Sequence, residues 1–165
     1  MDGTLCDVRS IRHLVDVPGA ESRVRPNFHE FHSQSFHCPP FPLVVDLLNR
    51  ARKERLAIIV VTGREKRWSF LTSRWLSEHE IEYDELKMRP DGDFRPDHLI
   101  KAEIQQSLSW AYRILLAIDD RRDIAQVWQR AGIPTSLVSG SGQLAELEWP
   151  PSHRSRTSPV WFSAT

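Results

Sequence analysis

Ala57-Ile-Ile-Val-Val-Thr-Gly-Arg64 is the stretch that decides the fold, because an unbroken aliphatic run stops there at a polar turn. A continuous apolar run of this length is typical of a strand buried on both faces, as in a parallel sheet covered by helices. A second run, Ile114-Leu-Leu-Ala-Ile118, ends in the same way at Asp119 and Asp120. A shorter run over Thr135–Val138 predicts a weaker edge strand.

Helical patterns fill the stretches between these strands. Pro42–Ala51 is amphipathic and begins with proline, which the first turn of a helix tolerates. Apolar residues recur at helical spacing over Glu65–His79, Asp97–Leu108 and Asp123–Ala131. This alternation predicts an α/β fold in which a mostly parallel sheet is covered by helices on both faces.

Two regions fall outside the alternation of helices and strands. Residues 8–41 include a polar stretch rich in His and Pro without clear periodicity, and they are predicted to form an insertion or small cap. Gly, Ser, Pro and Arg accumulate towards the C-terminus, so residues 141–165 are predicted to be a flexible tail. One domain is therefore expected over residues 1–140, which is long enough for a sizeable core.

Composition excludes several classes of protein. The 22 basic and 22 acidic residues balance, which argues against non-specific coating of nucleic acid but allows a local basic groove. The two cysteines, Cys6 and Cys38, are too few for a disulfide framework, so a reduced cytoplasmic setting is expected. No apolar run approaches the roughly 20 residues of a membrane helix, and we expect no membrane partner.

Three polar clusters are expected to meet at one edge of the sheet. They are Thr62-Gly63-Arg64, the adjacent pair Asp119 and Asp120, and the opening Asp2-Gly3-Thr4. Ligands bind at the carboxyl ends of strands in open parallel sheets. Two adjacent carboxylates there need a cation, and Mg²⁺ is a hard ion that prefers oxygen ligands.

Each of these clusters also has a purely structural interpretation. Thr62-Gly63 is compatible with a simple turn, and Asp119 and Asp120 with capping of the next helix or with surface pairs to the arginines that follow. Lys101 alone is more often a solvated charge than a ligand. The order of the clusters, two of which directly follow a buried strand, favours the functional interpretation.

The same motifs resemble those of a known superfamily. Met1-Asp2-Gly3-Thr4-Leu5 resembles the end of the D-x-D-G-T-L signature of haloacid-dehalogenase-type (HAD) phosphatases. Val60–Arg64 resembles their second motif, and Leu116–Asp120 resembles their fourth. This resemblance implies a three-layer HAD-like Rossmannoid fold.

A more specific resemblance covers the middle of the chain. Tyr83–Ile104, Ala117–Arg122 and Val127–Arg130 are together similar to the 3′-phosphatase domain of phage-type polynucleotide kinases. The similarity runs from Met1 to about Gly140. It implies a phosphatase that acts on a phosphorylated nucleic-acid end or a nucleotide.

The resemblance also implies a role for each matching residue. Asp2 would be the general acid and base, and Thr62 would bind the transferring phosphoryl group. Gly63 and Arg64 would contact the phosphate of the substrate. Lys101 would stabilise both the phosphate and the nucleophile.

Further roles follow from the same resemblance. Asp97, one helical turn before Lys101, would be its partner, and four-residue spacing independently lets the two share a helix face. Asp119 and Asp120, together with Asp2, would hold Mg²⁺, the implied cofactor. An arginine that meets substrate often follows the signature closely, and the resemblance does not choose between Arg9 and Arg12.

One part of the D-x-D signature is not among the 165 residues. The nucleophile of the family is the first aspartate, which would stand immediately before Met1, and the strand that carries it would also be absent. We expect that the true start lies upstream or that the sequence is truncated. The third interpretation is a catalytically dead relative that still binds phosphate.

The sequence thus supports three hypotheses about function. The first is an Mg²⁺-dependent phosphomonoester hydrolase that resembles polynucleotide 3′-phosphatases, with little activity in the chain as written. The second is a non-catalytic relative that binds phosphate or nucleic acid, and the third is a nucleotide phosphatase. The chain contains no P-loop, so no kinase activity is expected from it.

Overall fold

Parallel strands form the centre of the molecule. The computed structural model describes residues 1–16, 25–145, 149 and 159–164. Strand β1 (Ala57–Glu65) pairs in parallel with β2 (Glu85–Arg89) on one side and with β5 (Pro159–Ala164) on the other. Strands β3 (Ala117–Asp119) and β4 (Thr135–Leu137) form a second parallel pair. The predicted parallel α/β fold is confirmed.

Strand β5 is paired with β1 and also contacts β3 of the second sheet. Its register with β1 runs from Ala57 opposite Pro159 to Thr62 opposite Ala164. Strand β5 also contacts β3, so it lies between the strands that carry the second and fourth motifs. The C-terminal segment thus supplies a strand beside β1, and the segment predicted to be a flexible tail contains this strand.

The helices follow the predicted pattern with shifted ends. They are α1 (Phe28–Gln34), α2 (Pro42–Lys53), α3 (Ser69–Glu78), α4 (Asp97–Ser109) and α5 (Arg122–Arg130), with 3-10 turns at Arg9–Leu14, Ser35–His37 and Lys66–Trp68. The helix expected from Glu65 begins four residues later, because β1 continues to that residue and a 3-10 turn follows. Strand β2 lies in a stretch where the apolar pattern predicted no strand.

The side chains of β1 alternate between two apolar layers. Ile58 and Val60 pack with buried residues of α2 and α3. Ile59 and Val61 pack on the opposite face with buried residues of α4 and α5. Helices therefore cover both faces of this strand, which confirms the three-layer arrangement and explains why its sequence is apolar without alternation.

The opening loop is held against the insertion by backbone hydrogen bonds. The amides of Leu5 and Cys6 both donate to the carbonyl of Met1 at 2.9 Å. The amide of Asp7 donates to the carbonyl of Pro39 at 2.8 Å. Met1 is fully buried, so the loop begins inside the core, next to the carboxyl end of the sheet.

Cys6 and Cys38 are both buried and form no disulfide. Among the described residues, no helix is both long enough and apolar enough to cross a membrane.

Candidate functional site

The opening loop is anchored to the end of β3 through Thr4. The Thr4 hydroxyl donates to Asp120 Oδ1 at 2.7 Å and accepts from the Asp120 amide at 3.1 Å. Gly3 has a φ of +81°, and a Cβ atom there would lie 2.4 Å from Asp120 Oδ2. Only glycine fits this position, because both the backbone conformation and the nearby carboxylate exclude a side chain.

Asp2 and Arg64 form a buried ion pair. Arg64 Nε donates to Asp2 Oδ2 at 2.7 Å, and Arg64 Nη2 donates to Asp2 Oδ1. The remaining guanidinium contacts are Nη2 to the Ser35 hydroxyl at 2.7 Å and Nη1 to the Thr72 hydroxyl at 3.2 Å. The Arg64 side chain is 1% exposed. Arg64 therefore ties the second motif to the opening loop, the insertion and α3.

The pair also sets the protonation state of Asp2. Burial by itself would raise the pKa of this carboxyl. The adjacent Arg64 guanidinium outweighs burial through its charge and hydrogen bonds, and it holds the pKa of Asp2 below its usual value. Asp2 is therefore ionised at neutral pH, the state in which a carboxylate accepts a proton.

The predicted contact between Arg64 and a substrate phosphate is not available in this arrangement. All of the Arg64 interactions just described are internal, and the side chain is buried. Contact with substrate would require the guanidinium to leave Asp2, Ser35 or Thr72. A structural role for Arg64 is what the geometry supports.

Lys101 reaches the end of β3. Its ammonium group donates to Asp119 Oδ2 at 2.9 Å, and both side chains are essentially inaccessible to solvent. The other carboxylate oxygen of Asp119 accepts from the amide of Arg121 at 3.1 Å. The predicted partnership of Lys101 with Asp97 was wrong. The lysine extends from α4 towards the sheet, where Asp119 meets it.

Asp97 instead lies between two arginines at the mouth of the site. It accepts from Arg89 Nη2 and, at 2.8 Å, from Arg121 Nη1. A Cβ atom on Gly63 would lie 2.8 Å from Asp97 Oδ1, so a glycine is required for this close approach. Arg89 Nε also donates to the Gly63 carbonyl at 2.9 Å. These contacts fix the turn that follows β1.

Thr62 is buried near the carboxyl end of β1. Its hydroxyl accepts the amide of Arg64 at 3.3 Å, which shapes the turn of the second motif. Thr62, Asp119 and the opening loop thus meet at one edge of the sheet, as the positions of the motifs predicted.

Two of the three predicted metal ligands, Asp119 and Asp120, lie at the end of β3. Asp119 and Asp120 are adjacent, and Oδ2 of Asp120 faces Gly3, where no side chain intervenes. Both carboxylate oxygens of Asp2 accept from Arg64, and those of Asp119 accept from Lys101 and from the amide of Arg121, so either carboxylate would have to give up an internal hydrogen bond to bind a metal. Within the described part of the chain, no group of three or more His, Cys, Asp or Glu side chains is arranged to hold a metal.

The two arginines of the 3-10 turn near the N-terminus differ in position. Arg12 lines the same cleft as Asp2, Gly63 and Asp97. Both arginines line a smaller neighbouring cavity, but Arg9 does not line the larger cleft and pairs with Asp7, with Arg9 Nη2 2.6 Å from Asp7 Oδ2. Position therefore favours Arg12 over Arg9 as a substrate contact.

His32, on α1, lies beside Asp2, the residue predicted to be the general acid and base. Its Nδ1 atom is 3.9 Å from Asp2 Oδ2 and is buried, with no hydrogen-bond partner among the residues that the structure describes. Burial lowers the pKa of His32 to about 4, and the positive charge of Arg64 acts in the same direction, so the ring is neutral at pH 7.

Asp2, His32, Gly63 and Asp97 line a cleft of about 570 Å³, whereas Gly3 and Asp120 line the smaller neighbouring cavity. Of the residues that line the cleft, the sequence assigned no role to Phe94, favoured core packing over base stacking for Trp68, and favoured a contact with the cap or with substrate for His32. Arg121 directly follows Asp119 and Asp120, a position that was interpreted as a surface charge. The signal for His32 was weak because it lies in the irregular insertion, far along the chain from the motifs it approaches.

Comparison with solved structures places this arrangement among related folds. A chain in a structure described as "Structure of Pnkp1/Rnl/Hen1 complex" is 26% identical to this chain in sequence, with a TM-score of 0.68. The match covers 84% of this chain and 44% of that chain. A chain in "Structure of the Pnkp1/Rnl/Hen1 RNA repair complex" is 28% identical to this chain, with a TM-score of 0.62. This match covers 66% of this chain and 35% of that chain. This chain therefore spans less than half the length of either relative.

A third structure shares the fold alone. A chain from the structural characterisation of Mycobacterium tuberculosis Protein Tyrosine Kinase A (PtkA) is 19% identical to this chain, with a TM-score of 0.54. The match covers 100% of this chain and 91% of that chain. The model of the polynucleotide kinase PNKP phosphatase domain family matches residues 1–141, which include all the motif residues described above. The chain therefore belongs to the polynucleotide kinase PNKP phosphatase domain family.

Proposed function

We propose that this domain is an Mg²⁺-dependent phosphomonoester hydrolase that acts on a phosphorylated nucleic-acid end. The observation that carries the proposal is the convergence of Asp2, Thr62, Lys101, Asp119 and Asp120 at the carboxyl ends of β1 and β3, within a family of phosphatase domains. The convergence supplies acid and base, cationic and metal-binding groups at one edge of the sheet.

Each of these residues would have a separate role in phosphoryl transfer. Asp2 would take a proton from an attacking water, and it would have to release an oxygen from Arg64 to do so, because the pair lowers the pKa of Asp2 and weakens it as a base. Lys101 brings a buried positive charge to the place where phosphate oxygens gain charge, and the Thr62 hydroxyl can bind one of those oxygens. Mg²⁺, held by Asp119 and Asp120, would neutralise negative charge on the phosphoryl group.

The nucleophile of the proposed reaction is an aspartate immediately before Met1. None of the 165 residues occupies that position. The backbone nitrogen of Met1 is buried within electrostatic range of Lys101, Asp119 and Asp120, so a residue added there would enter the proposed site. We propose that the 165 residues by themselves turn over little substrate.

Two observations support a nucleic-acid end as the substrate. The family is that of a polynucleotide kinase phosphatase domain, and one structural relative belongs to an RNA repair complex. RNA ends are therefore the first substrates to test. The Rnl and Hen1 proteins of that complex indicate the kind of partner to seek, and the cytoplasmic setting stays a prediction.

The experiment compares two matched extended chains. One carries an aspartate between an added initiator and Met1, and the other carries an asparagine there. With Mg²⁺ and a 3′-phosphorylated oligonucleotide, we expect phosphate release by the aspartate form, and near-background rates for the asparagine form and for the 165-residue chain. Release by the asparagine form at a comparable rate would refute the assigned nucleophile.

The same assay separates the two alternatives. Faster hydrolysis of a nucleoside monophosphate than of the oligonucleotide would favour a nucleotide phosphatase. Binding of the oligonucleotide without hydrolysis by any form would favour a non-catalytic relative. The non-catalytic alternative is supported by the ion pair of Asp2 with Arg64, because a carboxylate bound in this way is not available to a substrate or to water.

A further inference from the structure

Two phenylalanine rings at the mouth of the cleft are exposed to solvent. Phe28, at the start of α1, is 56% exposed, and Phe94, on the loop between β2 and α4, is 88% exposed. Both line the same cleft as Asp2 and Gly63. Other rings are also exposed, such as those of Phe70 and Trp110, but Phe28 and Phe94 share one cleft beside the candidate active site and so offer apolar surface to a ligand there.

A third ring, Trp68, is held between two histidines of the insertion. The ring centroids of Trp68 and His29 are 5.2 Å apart, and those of Trp68 and His32 are 5.5 Å apart, both edge to face. These contacts restrain the indole in a position that also lines the cleft. The cleft thus combines one restrained ring with two exposed ones.

The cleft has no excess of positive over negative side chains. Five arginines line it, and so do five carboxylates, from Asp2, Asp16, Glu65, Asp93 and Asp97. Each arginine already has a carboxylate partner, for example Arg12 with Asp16 and Arg67 with Glu65. The cleft offers aromatic surface more than a net positive field.

We propose that Phe28, Trp68 and Phe94 form a base-stacking subsite for a single-stranded nucleic acid whose terminal phosphate lies near Gly63. This inference rests on the proposed function, because it names how that site would hold its substrate. Every base has a flat π face, so stacking on aromatic rings binds a strand without sequence preference.

The size of the cleft supports an occupant larger than a phosphate group. About 570 Å³ lies in the range of roughly 300–1,000 Å³ typical of pockets that bind organic ligands. A phosphate held by Gly63 and Arg12 would leave the aromatic part of the cleft free for the adjoining nucleosides. Arg12 and Arg67 are half or more exposed, so they can exchange their weak surface pairs for backbone phosphates.

The test measures binding rather than turnover. A single-stranded oligonucleotide with a 3′-phosphate and a 5′-fluorescein is titrated with the 165-residue chain, and its anisotropy gives the dissociation constant. We expect Phe28→Ala and Phe94→Ala each to weaken binding by roughly 5- to 100-fold, the range reported for loss of one stacked base. Phe70→Ala is the matched control, because Phe70 is 76% exposed but lies outside the cleft.

A second probe separates stacking from phosphate binding. An oligonucleotide of the same length with abasic sites next to its 3′-phosphate should bind the wild type as weakly as the natural oligonucleotide binds the two cleft variants. Equal affinity for both probes, or wild-type affinity in both variants, would overturn the proposal. If the wild type bound a phosphotyrosine peptide more tightly than the oligonucleotide, and the two cleft variants lost this binding, the proposal would be overturned in favour of a peptide ligand.

Failure of this inference is distinguishable from failure of the proposed function. The aspartate-extended chain is assayed with a small phosphomonoester that carries no base. Hydrolysis at the same rate by the wild type and the cleft variants, together with unchanged oligonucleotide binding, would overturn only the stacking subsite. Loss of oligonucleotide binding in the cleft variants without hydrolysis of any substrate would overturn only the phosphatase assignment.

Discussion

Arg64 and Asp2 bind each other through two hydrogen bonds in the interior of the protein, joining the end of β1 to the opening loop. Without the other, each residue would lose its closest opposite charge in a buried place. The pair therefore couples the geometry of two sequence motifs that lie sixty-two residues apart. Its removal provides the first test of the structure.

Substitution of one partner should be strongly destabilising. Arg64→Met leaves the Asp2 carboxylate buried without its cation, and we expect the free energy of unfolding to fall by about 3–5 kcal/mol. Asp2→Asn should have a similar cost, because Arg64 then lacks its anion. Urea unfolding of both variants and of the double variant gives the coupling, and the double variant should cost clearly less than the sum of the two.

A surface pair provides the control for this cycle. Arg74 and Glu78 form an exposed i,i+4 pair on α3 with an N–O distance of 2.9 Å. Arg74→Met should cost only about 0–1 kcal/mol, since solvent screens exposed pairs. Equal losses for Arg64→Met and Arg74→Met would contradict the burial of the Asp2 pair.

Removal of Lys101 should make the protein depend on magnesium. Lys101→Met takes away the cation that neutralises the buried Asp119 carboxylate, so the variant should be less stable than the wild type without metal. Mg²⁺ can then replace the lost charge, and its effect on Tm should be larger in Lys101→Met than in the wild type. Thermal unfolding with and without Mg²⁺ measures both quantities.

The control for this prediction carries Asp119→Asn in addition. The double variant has neither the buried cation nor the carboxylate, so it should regain stability over Lys101→Met and lose the response to Mg²⁺. A response to Mg²⁺ that persists in the double variant would place the ion elsewhere than at Asp119.

His32 should make the protein less stable as the pH falls. Its folded pKa is about 4, below the unfolded value of about 6.5. Between these values the unfolded chain binds a proton that the folded protein does not, so stability decreases from pH 6.5 to pH 4, by up to about 3 kcal/mol. The charged groups acting on His32 are Asp2, Arg64, Glu65 and Arg67, and the pKa of Asp2 lies below this window.

The measurement is the pH dependence of the free energy of unfolding. His32→Gln removes the titrating group, and it should flatten the slope between pH 4 and pH 6.5. His37→Gln, at an exposed position, should keep the wild-type slope. An unchanged slope in the first variant would show that His32 titrates normally in the folded protein.

Gly3 and Gly92 form a matched pair for testing the contact with Asp120. Both have a positive φ, of 81° and 75°, so alanine costs about 1–2 kcal/mol at either position through backbone strain. Only at Gly3 would the new Cβ meet a neighbour, at 2.4 Å from Asp120 Oδ2, whereas nothing lies within 4 Å at Gly92. Gly3→Ala should therefore cost about 1–3 kcal/mol more than Gly92→Ala in denaturant unfolding. Equal costs would mean that Asp120 does not lie against the loop.

Strand β5 should be needed for stability. Ser163 lies opposite Val61 in the parallel ladder. Proline lacks a backbone N–H and restricts the strand backbone, so Ser163→Pro should disturb the pairing of β5 with β1 and lower stability by roughly 1–3 kcal/mol. Ser163→Thr, which keeps the backbone amide, should be close to neutral. If the two variants unfold at the same denaturant concentration, β5 is not paired with β1 in solution.

Much of the fold follows from local pattern. The aliphatic run at the start of β1 predicted a strand buried on both faces, because an uninterrupted apolar sequence is stable only between two layers. The amphipathic pattern and leading proline predicted α2, which begins at Pro42. Strand β2 was missed because its residues are only partly buried apart from Met88, which leaves no continuous apolar run to detect.

The partners of the charged residues did not follow from spacing. Asp97 and Lys101 are one helical turn apart, which favoured a pair on the helix surface. In the structure Lys101 is buried and meets Asp119, while Asp97 accepts from Arg89 and Arg121. Packing of α4 on the sheet decides this, because it brings a carboxylate from another strand closer than the neighbour on the same helix.

The sequence by itself determined the parallel α/β architecture and the position of its motifs at the ends of the strands, since both depend on local apolar pattern and on the geometry of parallel sheets. Only the tertiary structure decided that Arg64 faces Asp2, that His32 lies beside this pair, and that Phe28 and Phe94 open on one cleft. These contacts join residues far apart along the chain. They depend on how helices and loops pack, and no local pattern encodes that packing.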